Sequence, residues 1–265
     1  LHHPEQQQYG ICLRGQPGWG INMALITSWV HAHGGRWFDD KWHPTLKTAP
    51  WRTVLRTYIE LLGQFGPPEP QTLGYVENLK LFADGHCAIW VDATVAAGTL
   101  YDKSVSQVSS RTGMVAAPRA TLPSSWNWSW AMAVPAYTRH GEAAQRFIRW
   151  ATSRAYVREV VKQQGWAAVP PGIRRSVYAD PAYHAQAPFA EVVEDALEQA
   201  NVGRPVGLPY SGVQFVGIPE YAAFGNGVGY LVADVLMGRL TVDQALELAQ
   251  QRVEGQMVNS GHLRQ

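Results

Sequence analysis

Tyr9-Gly10-Ile11-Cys12-Leu13-Arg14-Gly15-Gln16-Pro17-Gly18-Trp19-Gly20 is the stretch that decides the fold. Its first half reads as a short apolar strand, and the glycines and Pro17 that follow read as a turn. Beyond the turn Met23, Ile26, Thr27 and Val30 share one helical face, and Gly34-Gly35 stops that helix. The same alternation continues outward. Thr48 and Pro50 open a helix whose Trp51, Val54, Leu55, Tyr58, Leu61, Leu62 and Phe65 keep the 3.6-residue period until Gly66-Pro67-Pro68. A shorter helix carries Asn78, Leu81 and Phe82 and ends at Gly85, and a buried strand, 86–91, stops at Asp92-Ala93-Thr94. Strands alternating with helices in this way predict an α/β fold.

Further along, 113–118 is another apolar run, and 126–132 alternates so that Trp126, Trp128 and Trp130 share one face if extended. Helices are expected over 141–152 and 153–164, ending at Gly165, with 166–171 stiff and extended. Asp180-Pro181 marks a helix start, and Phe189, Val192, Val193, Ala196 and Leu197 mark an amphipathic helix. A helix is expected over 219–237. Thr241-Val242-Asp243-Gln244 fits a capping box for the last helix, whose apolar face is Ala245, Leu246, Ala249, Val253 and Met257.

With 46% hydrophobic and 16% charged residues over 265 positions, the chain can bury a sizeable core and is not a disordered composition. A net charge of +1, from 22 basic and 21 acidic residues, lacks the basic excess of a nucleic-acid binder. No run reaches the ~18 apolar residues of a membrane span. Leu1-His2-His3-Pro4-Glu5 is too polar to read as a signal peptide. Cys12 and Cys87 each sit in an apolar run; buried free thiols are the expectation and a disulfide the alternative.

Enzymatic readings find little support. Asp39, Asp40, Glu60, Glu77 and Asp92 are not spaced as a glycosidase pair, and no nucleophile elbow, Walker or dinucleotide glycine pattern occurs. His31 and His33, two apart on a helix, do not share a face, so no metal site is read there with His43. The remaining signal is a binding surface. Arg14 ends a strand before a glycine turn, where open α/β sheets meet ligands, and its fork of donors suits adjacent hydroxyls. Asp92 follows the other strand and reads equally as a hydroxyl acceptor or as a helix N-cap. Eleven Trp supply flat apolar faces for a partly polar ligand, the 126–130 triplet above all.

At this point the residues match a family. The opening string Gly10–Gly20 resembles that of sorbitol/mannitol-binding proteins of ABC importers. So do Gly34-Gly35-Arg36-Trp37-Phe38-Asp39, the run Trp90–Gly98, Gly165-Trp166-Ala167-Ala168-Val169-Pro170-Pro171-Gly172, and the run Pro209–Glu220. The resemblance covers the chain from Tyr9 onward, in order. It implies a periplasmic-binding-protein-like two-lobe α/β fold, with the C-terminal lobe (1–125 and 168–265) essentially complete. Residues 126–167 would be the hinge crossing and remnant of an N-terminal lobe whose front, about 100 residues or more, lies outside this sequence. It implies a periplasmic or extracytoplasmic solute-binding protein, not an enzyme, which needs no cofactor, captures a polyol or related sugar and docks on an inner-membrane ABC permease. The ligand-binding residues it implies, together with the reading above, are Arg14, Trp19, Asp92, Trp126, Trp128, Trp130, Trp166, Tyr210 and Gln214. A remnant that folds without binding, and a carbohydrate-acting enzyme, are the alternatives. If 126–167 lacks its packing partner, a non-native dimer through that region is expected.

Overall fold

β1 (Tyr9–Cys12) lies parallel to β2 (Cys87–Trp90), with Ile11 opposite Ile89 and Cys12 opposite Trp90. A parallel pair needs a long crossover, and α1 (Asn22–Ala32), α2 (Ala49–Phe65) and α3 (Tyr75–Ala83) supply it. This arrangement comes from a computed structural model that describes residues 1–118, 120–122, 127–200 and 210–263. The chain forms two compact units. One comprises Leu1–Ala93 with the described residues of 116–126 and 199–265; the other comprises Thr94–Val115 and Asn127–Glu198.

In the first unit α1 and α2 pack with α10 (Tyr221–Leu236) and α11 (Val242–Asn259). Helix α2 buries Trp51, Val54, Leu55, Tyr58 and Leu62, the face expected from its period, while Phe65 is exposed. Trp37 fills the centre of the core, edge-on to Trp51 at 4.9 Å and to Tyr221 at 5.5 Å. Its indole N–H donates to Thr27 Oγ1 at 3.1 Å, which satisfies the one polar atom such a ring carries into a core. Thr241 and Gln244 form the predicted capping box of α11. From α11, Gln250 accepts from Leu46 N–H at 2.9 Å and donates to the Pro44 carbonyl at 2.6 Å, and Asp243 bridges Arg52 and Arg56 of α2.

Helix α10 carries glycines for a steric reason. A Cβ at Gly229 would stand 2.8 Å from Asn22 Oδ1 and 2.9 Å from the Gly18 nitrogen, and one at Gly225 would stand 2.9 Å from Trp19 Cβ. Only bare backbone lets the helix meet the 15–20 turn this closely. Asn22 then clips the two together, accepting from Gly18 N–H at 3.1 Å and donating to the Gly229 carbonyl at 3.0 Å.

Cys12 and Cys87 are joined as a disulfide across a sequence separation of 75. This corrects the expectation of free thiols. The crossover returns β2 alongside β1, an adjacency that the distance along the chain conceals.

The second unit contains α4 (Ala97–Leu100), α5 (Gly141–Ala151), α6 (Arg154–Gln164), α7 (Arg175–Tyr178), α8 (Pro181–Gln186) and α9, which starts at Ala190. Its core centres on Tyr183 and Phe189, packed with Ala97, Val177, Tyr178 and Val193. Asp180 caps α8 as expected, accepting from Ala182 N–H at 2.9 Å. Helix α5 buries no residue, and its Phe147 and Trp150 are exposed.

Two local expectations are corrected. Residues 113–118 and 127–132 form no strand, because neither has a ladder partner among the described residues. The 166–171 stretch begins with a 3-10 turn, Trp166–Ala168. In the second compact unit 94–115 and 168–198 are grouped with 127–167.

Candidate functional site

The Gly15–Gly20 turn and the end of β2 bring Arg14 and Asp92 together, 78 residues apart in sequence. Arg14 Nε donates to Asp92 Oδ2 at 2.8 Å and Nη2 donates to Oδ1 at 2.5 Å, a fork-on-carboxylate pair. The Arg14 side chain is 11% exposed and that of Asp92 2%. Asp92 Oδ1 also accepts from Ala93 N–H at 2.6 Å. The carboxylate therefore does not cap the 3-10 turn Thr94–Ala96, and the N-cap reading is set aside. Two independent hydroxyl clamps are not what the geometry offers either. Asp92 orients Arg14, and Arg14 is the member of the pair that reaches the surface.

The backbone beneath Arg14 is held from three directions. Tyr58 of α2 donates its hydroxyl hydrogen to the Arg14 carbonyl at 2.7 Å. Buried Asn78 of α3 donates to the Leu13 carbonyl at 3.0 Å. The Leu73 carbonyl accepts from both Gly15 and Gln16 N–H groups, at 2.9 and 3.0 Å. Arg14 Nη1 donates to the Gly20 carbonyl at 3.1 Å, and the guanidinium carbon stands 5.3 Å from the centre of the Tyr75 ring. Partial burial and then the Asp92 carboxylate push the Tyr75 phenol up, so this ring stays neutral. None of Tyr58, Leu73, Tyr75 or Asn78 was legible as a site residue. Each lies on or beside a helix with a separate packing explanation, and only the fold carries them to Arg14.

Trp19 sits beside this pair in the same turn. Its backbone N–H donates to Asn226 Oδ1 at 2.9 Å, and its half-buried ring stands edge-on to Tyr221 at 6.0 Å. Tyr210 and Gln214, expected to line a cleft, are 2% and 4% exposed. The Tyr210 hydroxyl accepts from Trp37 N–H at 2.9 Å and faces His31 Nε2 at 2.9 Å, so its polar atom is committed inside the core. Burial holds His31 well below its ordinary range, at about 4. His33, two residues on, faces solvent and bonds the Trp29 carbonyl.

Trp128, Trp130 and Trp166 belong to the second unit. Trp128 and Trp130 stand 6.0 Å apart edge-to-face, with Trp130 87% exposed. Trp126 lies outside the described residues. Trp166 is half-buried against Tyr183 at 5.9 Å. The first unit thus brings Arg14 and Asp92 together beside Trp19 and Tyr75, and leaves Tyr210 and Gln214 buried. Among the described residues no group of three His, Cys, Asp or Glu is placed to hold a metal, and no helix is long and apolar enough to cross a membrane.

The family described as bacterial extracellular solute-binding protein matches residues 4–158. The chain is 46% identical to the mannitol-binding protein of Pseudomonas aeruginosa, over 99% of this chain and 61% of that protein. It is also similar to an ABC transporter solute-binding protein from Agrobacterium vitis, solved with bound D-mannitol. That likeness has a TM-score of 0.95 and 41% identity, covering 98% of this chain and 64% of the other. A solute-binding protein of Agrobacterium radiobacter, solved with ribitol, matches at TM-score 0.80 and 25% identity, covering 97% of this chain and 61% of the other. The chain therefore spans a little over three fifths of the length of these relatives.

Proposed function

Because the chain belongs to the bacterial extracellular solute-binding protein family, we propose that its full gene product captures a sugar alcohol outside the cytoplasm for an ABC permease in the inner membrane. The observation that carries this reading is 46% identity to a mannitol-binding protein along nearly the whole of this chain. The Arg14 turn supplies fitting chemistry. A linear polyol presents adjacent hydroxyl oxygens to a planar fork of donors, and its carbon backbone lies well against indole rings such as that of Trp19. Capture is non-covalent and uses no cofactor.

Two structural features support the wider reading. The Cys12–Cys87 disulfide suits an oxidising, extracytoplasmic compartment. The exposed apolar face of α5 suits a segment made to be covered, in keeping with 126–167 belonging to the N-terminal lobe of a two-lobed protein. Within this proposal the unit built on β1 and β2 is the larger part of the C-terminal lobe.

The test is calorimetric titration of the full gene product with mannitol, sorbitol and ribitol, and with maltose as the non-polyol comparison. Saturable binding of a polyol, weakened at least tenfold by Arg14→Gln, is expected. Tight maltose binding with no polyol binding would refute the substrate class.

A further inference from the structure

We infer that Tyr75, the first residue of α3, is a positioning residue that holds the Arg14 guanidinium flat for ligand binding. This deepens the proposed function and rests on Arg14 being a ligand contact. Asp92 and the Gly20 carbonyl hold the guanidinium by its edges, through Nε, Nη2 and Nη1. The guanidinium carbon also lies over the Tyr75 ring, 5.3 Å from its centre, so a cation–π contact adds to the hold of these bonds.

The ring is itself held. Gly74 N–H donates to Glu77 Oε2 at 2.9 Å, and Asn78 ties the first turn of α3 to the Gly74 and Leu13 carbonyls at 2.8 and 3.0 Å. Trp90 stands 5.7 Å from the Tyr75 ring and 6.0 Å from that of Phe82, one face of α3 against the end of β2. Arginine carries large rotamer entropy. Fixing its plane before the ligand arrives removes part of that cost from binding.

The experiment measures mannitol affinity of the full gene product for the wild type, Tyr75→Phe, Tyr75→Leu, Arg14→Gln and the Arg14→Gln/Tyr75→Leu double variant. Tyr75→Leu keeps apolar volume but removes the aromatic face, and is expected to weaken binding about three- to tenfold. Tyr75→Phe keeps the face and should bind within about twofold of wild type. In the Arg14→Gln background, Tyr75→Leu should cost nothing further, a result that general loosening of α3 would not give. Wild-type affinity in Tyr75→Leu overturns the inference, as does an equal loss in Tyr75→Phe or an undiminished effect without Arg14. Wild-type affinity in Arg14→Gln would instead sink the site reading on which the inference stands, and the inference with it.

Discussion

Removing Asp92 should cost more stability than its position at a loop end suggests. Asp92→Ala leaves the Arg14 side chain, 11% exposed, without the carboxylate that accepts two of its hydrogen bonds. Breaking a largely buried pair from one side costs about 3–5 kcal/mol, and the low end applies here because Arg14 keeps its Gly20 bond and some contact with water. A loss of about 3 kcal/mol lowers the melting temperature by about 6–12 °C in a domain of this size. Arg14→Leu should be at least as damaging, since it strands a carboxylate that is 2% exposed. The double variant Arg14→Leu/Asp92→Ala removes both charges and should lose only about 2 kcal/mol, well short of the sum of the single losses. Urea unfolding of the four proteins closes the cycle. A coupling energy of about 4 kcal/mol is expected; additivity within about 0.5 kcal/mol would show that the pair is not an energetic unit.

Reduction of the disulfide should destabilise the first unit by about 4 kcal/mol on the chain-entropy estimate for a loop of this length; thiol titration before and after reduction, with paired melts, checks both bond and cost. Stability should fall as pH drops from about 6.5 to about 4, because the unfolded state protonates His31 first while the buried imidazole resists until about 4. The loss is about 3 kcal/mol, flat again below that window, and His31→Asn should abolish this part of the profile. Gly229→Ala should destabilise through its contact with the 15–20 turn, whereas Gly255→Ala on α11, with open space around it, should stabilise by up to about 1 kcal/mol; urea midpoints of opposite sign are the readout. The 265-residue chain by itself should self-associate through exposed Trp130, Phe147 and Trp150, and a clean monomer in sedimentation at high concentration would refute that.

The parts of this architecture that were legible in the sequence are those encoded within a few residues. The period of α2, the Asp180 cap and the Thr241–Gln244 box are local statements, and the structure repeats them. Arg14 and Asp92 were legible as strand-end residues, but not as each other's partners. Their pairing, like that of Cys12 with Cys87, depends on where a three-helix crossover returns the chain. The setting of Tyr210 was hidden for the opposite reason. It sits in a family-like run of polar and glycine residues, yet the phenol turns inward and accepts from Trp37 N–H. The Trp count misled in part as well, because Trp37 and Trp51 meet edge-on in the core and serve no surface.

The clip between the 15–20 turn and α10 also sets an order of events. Asn22 waits for Gly229, and Trp19 N–H for Asn226, each across 207 residues; Leu46 waits across 204 for Gln250. Contacts this distant form late, because loop closure must precede any reward from packing. The Arg14 turn therefore reaches its final shape only after nearly all of this sequence has been synthesised. The second unit, Thr94–Val115 with Asn127–Glu198, has no such wait and can condense once residue 198 has been made. Under the extracytoplasmic role proposed above, this order keeps the Arg14 turn open until the chain is complete.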